Sequence, residues 1–191
     1  MMSKNTTSKI VIVSGTNRPN SQTRRVAGVF EDLYKSEGAQ TEIVDLKELP
    51  AEIFRPEAYE KKPAAFEKIS QSILNSSGLV IVTPEYNGSF PGVLKLFIDM
   101  LKFPESFERR PVAFVGLAAG MWGALRSVEQ LESIFKYRNA FTYSDRIFLP
   151  RVESQLNSAN EFTSDLVKKL TRDQVRGFIK FCEKISSLKN N

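Results

Sequence analysis

The chain has 191 residues, of which 41% are hydrophobic and 26% charged, with a net charge of +5, no histidine and one cysteine. The missing histidine excludes Ser-His-Asp and Cys-His catalysis, and the single cysteine excludes intrachain disulfides and thiolate zinc sites. We therefore expect one domain over residues 1–191, no metal site, and any demanding chemistry to depend on a bound cofactor.

The first half of the chain alternates short apolar runs with helical patterns. Residues 9–14 form a β-branched run that is typical of a strand buried on both faces, and residues 22–36 carry apolar side chains at helical spacing. A second strand is predicted at residues 40–45. The connection at residues 46–63 contains three prolines and is predicted to be a binding loop or lid, and a helix follows at residues 64–75.

The second half repeats this alternation. Strands are predicted at residues 79–83 and 111–117, with an apolar helix at residues 93–101 between them. A further helix is predicted at residues 125–135, because its apolar side chains recur at spacings of three and four.

The end of the chain completes the pattern with a fifth strand at residues 146–149 and a helical tail at residues 160–188, in which Gly177 weakens the case for one unbroken helix. Parallel strands need crossover helices, so this order predicts a three-layer α/β sandwich, a five-stranded parallel sheet with helices on both faces. Ligands of such sheets bind outside the carboxyl ends of the strands. Three connections at those ends are therefore candidate ligand loops.

Loop 1 (residues 14–23, SGTNRPNSQT) joins the first strand to a helix. Free N–H groups and the helix dipole make that position suitable for a phosphate. Arg18 adds a forked cation, and Thr16, Ser21 and Thr23 add hydroxyl donors. The loop matches neither GxGxxG nor GxxxxGK[ST], so an ordinary capped turn is the alternative.

Loop 2 (residues 84–92, PEYNGSFPG) and loop 3 (residues 118–124, AAGMWGA) follow the third and fourth strands. Two prolines and two glycines make loop 2 rigid and tightly bent, Gly88 permits close approach of a ligand, and Tyr86 offers a flat surface. Loop 3 is small and apolar except for Trp122. The alternatives are a plain turn for loop 2 and packing at a helix start for loop 3.

Together the loops resemble those of the NADPH-dependent FMN reductase family of flavodoxin-like proteins, which includes azoreductases, chromate- and quinone-reducing enzymes and flavin reductases. The GSxRxxS-type first loop of that family is matched by GTNRPNS, with Thr16 in place of serine. Its PEYNGSxPGxLKxxID stretch is matched by PEYNGSFPGVLKLFID at residues 84–99. The likeness extends over about residues 9–135, although the family's third loop is richer in glycine.

This resemblance implies a flavodoxin-like fold that binds FMN without a covalent bond and uses NADPH or NADH. It implies an oxidoreductase that passes electrons through FMN to a small acceptor (a quinone, azo compound, metal oxyanion or free flavin) in a ping-pong scheme, with no catalytic side chain. It also implies a homodimer or homotetramer. The residues it places at the phosphate are Thr16, Arg18, Ser21, Gln22 and Thr23; those around the ring and ribityl chain are Pro84, Glu85, Tyr86, Asn87, Gly88 and Ser89, with Gly120 beside the ring.

Two other functions remain open: a flavodoxin-type electron carrier and a non-enzymatic FMN-binding sensor. Flavodoxins are usually strongly acidic, whereas this chain is basic. Arg18 and Arg126 are candidates for pairing with the NADPH 2′-phosphate. Cys182 lies at helical spacing from Phe178 and Ile185, which predicts a core residue and not a redox centre.

Partners other than small molecules are not indicated. The basic residues are scattered, and no nucleic-acid-binding motif is present. No segment reaches the roughly 18 apolar residues of a membrane span, and residues 1–8 lack the apolar region of a signal peptide. We therefore expect a cytoplasmic protein that binds neither nucleic acid nor membrane.

Overall fold

A computed structural model describes residues 8–189, so most of the polar segment at residues 1–8 lies outside the described residues. The strands are β1 (Lys9–Ser14), β2 (Gln40–Asp45), β3 (Gly78–Pro84), β4 (Pro111–Leu117), β5 (Phe141–Thr142) and β6 (Ile147–Leu149). They form one parallel sheet in the order β2-β1-β3-β4-β5, with β6 also paired to β4. This order is the flavodoxin-like one, which confirms the fold that the family resemblance implied.

The helices are α1 (Gln22–Ser36), α2 (Ala64–Leu74), α3 (Gly92–Met100), α4 (Leu125–Tyr137) and α5 (Asp165–Lys189). They cover both faces of the sheet because alternate strand residues face opposite sides. In β3, for example, Leu79 and Ile81 enter the core under α2, α3 and α4, whereas Val80 and Val82 enter the core under α1 and α5. The central strands β3 and β4 are buried along their whole length, as expected for a covered parallel sheet.

The fifth position of the sheet is divided between two short strands. Phe141 in β5 pairs with Pro111 at the start of β4, and Ile147 in β6 pairs with Val115 further along. The predicted strand at residues 146–149 is therefore β6, shortened by one residue. The sequence analysis did not predict β5, because two residues are too few to show an alternating pattern.

The connection between β2 and α2 is more regular than predicted. It contains three 3-10 helices, at Leu46–Glu48, Ala51–Phe54 and Pro56–Tyr59. Ile53 and Ala58 are buried in the core between the sheet and helices α2, α3 and α4. This packing anchors the connection to the domain.

The C-terminal helix α5 is unbroken, and its glycine has a packing reason. A Cβ atom at Gly177 would overlap the hydroxyl group of Tyr143, whose ring packs against Phe178. The helix begins at Asp165, later than the predicted residue 160. Cys182 is fully buried, which confirms its prediction as a core residue.

Among the described residues, no helix is long and apolar enough to cross a membrane.

Candidate functional site

The three candidate loops meet at the carboxyl edge of the sheet. The connection that leaves β1 leads to β2 on one side, and the connection that leaves β3 leads to β4 on the other. The crevice between β1 and β3 is therefore the topological switch point at which open α/β sheets bind ligands. A cavity of about 420 Å³ lies there, lined by loops 1, 2 and 3 and by Leu117, Val152 and Glu153. We call it the three-loop cavity.

Loop 1 begins with a close approach to β3. The N–H group of Gly15 donates to the carbonyl oxygen of Val82 at 2.8 Å, and a Cβ atom at this position would lie 2.8 Å from the same oxygen. Glycine is required here because nothing larger fits against the strand. Thr16, which is 1% exposed, follows with its N–H group donating to the carbonyl of Ser14.

The N-terminus of α1 presents free donors to the three-loop cavity. The Oγ atom of Ser21 accepts the N–H of Arg24 at 3.1 Å and so caps the helix, while the Ser21 hydroxyl hydrogen stays available. The N–H groups of Gln22 and Thr23, at the first two helical positions, have no acceptor among the described residues. All three residues line the cavity, which makes this end suitable for an anion.

Charged and polar side chains complete that end of the three-loop cavity. Arg18 is exposed and forms no ion pair within residues 8–189. The Oε1 atom of Gln22 and the Oε2 atom of Glu85 are buried without a hydrogen-bond partner there. The Arg18 cation and the free N–H groups at the start of α1 suit a phosphate. The two unpaired acceptors suit hydroxyl or ring N–H groups of a ligand.

Loop 2 is built around a two-residue turn. The N–H group of Tyr86 donates to the carbonyl of Ser89 at 2.8 Å, and the reverse bond is 3.1 Å. Asn87 and Gly88 both have positive φ, 53° and 78°, as a type I′ turn requires. The Tyr86 hydroxyl lies 3.0 Å from Oγ1 of Thr16, which joins loop 2 to loop 1.

The outer side of the turn is held by α4. The Ser89 hydroxyl donates to Oε1 of Gln130 at 2.5 Å, and the Gln130 amide donates to the carbonyl of Gly88 at 3.4 Å. Arg126 donates to Glu85 at 3.2 Å. The sequence analysis did not identify Gln130, whose role depends on a contact 41 residues away along the chain.

Loop 3 is shaped by close packing on β6. A Cβ atom at Gly123 would lie 3.0 Å from the backbone nitrogens of Leu149 and Pro150, and its φ of 57° also favours glycine. Gly120 is exposed, and its carbonyl accepts the N–H of Arg151. The residues of this loop that line the three-loop cavity are Ala118 and Ala119.

The structure therefore brings together seven of the predicted residues as cavity lining and adds Thr16 through its contact with Tyr86. The remaining four, Asn87, Gly88, Ser89 and Gly120, lie in loops 2 and 3 outside the lining. The lining residues are Arg18, Ser21, Gln22, Thr23, Pro84, Glu85 and Tyr86.

Three lining residues lie outside the three candidate loops: Leu117, the last residue of β4, and Val152 and Glu153. Val152 and Glu153 follow β6, and the N–H group of Val152 donates to the carbonyl of Ala118 in loop 3. They could have been identified from topology, since the carboxyl end of the last strand meets the same sheet edge. Within residues 8–189 no group of three or more acidic or sulfur side chains is placed to hold a metal ion.

Comparisons with known proteins identify the family of the chain. Residues 8–153 match the family model of NADPH-dependent FMN reductase. The chain is 30% identical over 127 residues to an NADPH azoreductase of Bacillus sp. (strain OY1-2), covering 65% of this chain and 67% of that protein. It is 28% identical over 182 residues to a quinone reductase of Pseudomonas putida, covering 93% and 92%.

A solved structure with the same fold is FerB, a flavoenzyme NAD(P)H:(acceptor) oxidoreductase from Paracoccus denitrificans. It superimposes with a TM-score of 0.79 over 93% of this chain and 98% of FerB, at 21% identity.

Proposed function

The chain belongs to the NADPH-dependent FMN reductase family and is an NAD(P)H-dependent enzyme with FMN as cofactor; from this premise we propose that FMN occupies the three-loop cavity and serves to reduce a quinone or azo compound. The observation that carries the proposal is the convergence of loops 1, 2 and 3 on one cavity at the switch point. Donors without a partner lie at the loop 1 end of the cavity, and Tyr86, Ala118 and Ala119 line other parts of it.

The FMN phosphate is held at the start of α1. Its ligands are the N–H groups of Gln22 and Thr23, the Ser21 hydroxyl and the Arg18 guanidinium. These are free within the described residues, apart from the cap bond that Ser21 accepts. A dianion at a helix N-terminus gains from both the dipole and the charge-assisted bonds.

The ring and ribityl chain lie against loop 2. The buried Oε atoms of Gln22 and Glu85 offer acceptors to hydroxyl and ring N–H groups. The type I′ turn and the Thr16–Tyr86 contact hold loop 2 in one conformation, so that donors and acceptors are oriented before the ligand binds.

FMN, when bound, supplies the two-electron chemistry that connects NAD(P)H to the acceptor. The chain itself binds and orients, and no side chain serves as nucleophile or metal ligand. A hydrogen bond of 3.0 Å between the Thr16 and Tyr86 hydroxyl oxygens holds the Tyr86 side chain in place beside the cavity.

NAD(P)H and the acceptor occupy the same open side of the three-loop cavity in turn, which makes the scheme ping-pong. Of the two candidate cations for the 2′-phosphate, Arg126 is engaged by Glu85, whereas Arg18 has no ion pair within residues 8–189. This difference favours Arg18, because its guanidinium has five N–H donors to divide between the FMN phosphate and the 2′-phosphate.

Steady-state kinetics test the proposal. The FMN-loaded protein should oxidise NADPH with 1,4-benzoquinone or an azo dye as acceptor, and double-reciprocal plots at several acceptor concentrations should be parallel. Free FMN with heat-denatured protein is the control. Tight FMN binding without acceptor-dependent NAD(P)H oxidation would instead support the sensor or carrier alternatives, and intersecting lines would contradict the ping-pong scheme.

A homodimer or homotetramer and a cytoplasmic location remain predictions. The apolar character of α3 does not by itself demand a partner, since Val93, Leu94, Phe97, Ile98 and Met100 are buried in the chain's own core. Light scattering of the purified protein measures the oligomeric state directly.

A further inference from the structure

A second cavity lies on the other side of loop 1. Its volume is about 560 Å³, and it runs between α1 and the carboxyl end of β2. It shares Arg18, Asn20, Ser21 and Gln22 with the three-loop cavity. We call it the α1–β2 groove and define it by six of its lining residues that do not line the three-loop cavity: Arg24, Gly28, Val29, Asp32, Asp45 and Lys47.

The position of the groove restricts its ligand. No residue of loop 2 or loop 3 lines it, so it adjoins the three-loop cavity only at the end that holds the flavin phosphate. A ligand in the groove is therefore next to that phosphate and away from the ring. FAD differs from FMN by an adenosine phosphate joined to this same phosphate.

The groove carries the charges that an adenosine phosphate needs. Arg18 has no ion pair within residues 8–189, and Lys47 forms only a 3.7 Å pair with the exposed Glu48. Both are available to a phosphate oxygen.

Acceptors for a ribose stand beside these cations. Asp45 is the last residue of β2, paired in register with Ser14 of β1. Its Oδ1 atom caps the following turn at Lys47, while Oδ2 is 3.5 Å from Nε of Arg24. In dinucleotide-binding α/β folds, an acidic residue near the phosphate loop accepts ribose hydroxyl hydrogens. Asp32 has no hydrogen-bond or ion-pair partner among the described residues and is a second acceptor.

The wall of the groove leaves room for a flat base. Gly28 lies on α1 between Arg24 and Asp32, and a Cβ atom there would meet only the end of the Arg24 guanidinium, at 3.5 Å. Val29 supplies an apolar contact beside it.

We propose that the α1–β2 groove binds the adenosine phosphate half of FAD, so that this chain accepts FAD as well as FMN. The inference rests on the proposed placement of the flavin phosphate at loop 1. NAD(P)H carries the same adenosine phosphate chemistry, but its nicotinamide must reach the flavin ring at the opposite end of the three-loop cavity. The groove therefore suits FAD better.

The test compares the affinities of the apoprotein for FMN and FAD by quenching of flavin fluorescence. Wild-type protein should bind FAD at least as tightly as FMN. Gly28→Leu should fill the groove and weaken FAD binding by about tenfold or more, with FMN binding unchanged, because the new side chain occupies the place of the base. Lys47→Ala should weaken FAD binding by about threefold, since an exposed charge contact is worth little more.

Lys35→Leu is the matched control, because it adds a leucine to the same helix outside the groove and should leave both affinities unchanged. Equal losses of FMN and FAD in Gly28→Leu, or wild-type binding of FAD more than tenfold weaker than FMN, would overturn the inference. A raised KM for NADPH in Gly28→Leu without any loss of FAD would assign the groove to the nicotinamide nucleotide instead. If wild-type protein bound neither flavin, the proposed function itself would fail.

Discussion

The two edges of the parallel sheet hold their arginines in opposite ways. At the carboxyl edge, Arg18 has no ion pair and the buried acceptors of Gln22 and Glu85 have no partner within residues 8–189. At the amino edge, Arg110 precedes β4, is 7% exposed, and has each of its guanidinium nitrogens hydrogen-bonded. The arginine whose hydrogen bonds are complete holds the fold together, and the arginine without an ion pair lies at the edge suited to a ligand.

The acceptors of Arg110 come from two separate segments. The guanidinium thereby ties the C-terminal end of α2 to the loop that precedes β4, where helix carbonyls favour a cation. Burial lowers the pKa of Arg110 to about 10, so the group stays charged at neutral pH. The acceptors are the carbonyl oxygens of Leu74, Ser76, Glu105 and Ser106 and the hydroxyl of Ser76.

The largest expected effect is at the amino edge. Arg110→Ala leaves several buried acceptors without a donor, and we expect the free energy of unfolding to fall by about 3 kcal/mol or more. Urea denaturation of the apoprotein measures it. Arg172→Ala, which removes an exposed arginine of α5, should change stability by less than about 0.5 kcal/mol. A comparable loss in both variants would remove the distinction between the edges.

Removing the cation of the carboxyl edge should instead affect binding alone. Arg18→Ala deletes charge-assisted hydrogen bonds to the FMN phosphate worth about 1.5–3 kcal/mol, so FMN should bind about 10- to 100-fold more weakly. The stability of the apoprotein should stay within about 0.5 kcal/mol of wild type, because Arg18 has no ion pair to lose within the described residues. Unchanged FMN affinity would refute the assignment of loop 1 to the phosphate.

Alkaline pH should lower the free energy of unfolding through Cys182, a second buried group at the amino edge. Cys182 packs at the start of β3, where a Cβ atom on Gly78 would lie 2.5 Å from its Sγ atom. Burial, and to a smaller extent the charge of Glu183, raises the pKa of the Cys182 thiol from 9.0 to about 12.

Below pH 9 the thiol is protonated in both states and its contribution is constant. Above pH 9 the unfolded chain releases the proton and the folded chain retains it, so stability should fall by up to about 1.4 kcal/mol per pH unit from this group. The difference in unfolding free energy between wild type and Cys182→Ala, measured from pH 8 to pH 10.5, isolates the effect. Parallel pH curves for the two proteins would contradict it.

The smallest expected effect concerns the turn of loop 2. Gly88→Ala places a Cβ atom at a φ of +78°, which should cost about 1 kcal/mol of stability and weaken FMN binding by less than tenfold. Gly92→Ala is the matched control, because a Cβ atom there has nothing within 4 Å and the residue begins α3. If Gly92→Ala were as damaging as Gly88→Ala, the turn would have no special role in the site.

Much of the fold and part of the site could be predicted from residues near one another in sequence. Apolar runs such as residues 9–14 and 79–83 must be buried on both faces, so the parallel sheet and its crossover helices follow from local patterns. Loop 1 and loop 2 were identified in the same way, because Gly15 and the Asn87–Gly88 pair have backbone requirements that few residues meet.

The amino-acid sequence by itself therefore determined the fold class, the family likeness and the loops that carry the site. Only the tertiary structure decided which atoms of those loops are left without partners. The Thr16–Tyr86 contact joins residues 70 positions apart, and the bond between Ser89 and Gln130 joins residues 41 positions apart. The hydrogen bonds of Arg110 reach residues up to 36 positions away. Such pairings carry no local signal, since each residue is chemically ordinary until packing of the sheet and helices brings its partner within hydrogen-bond distance.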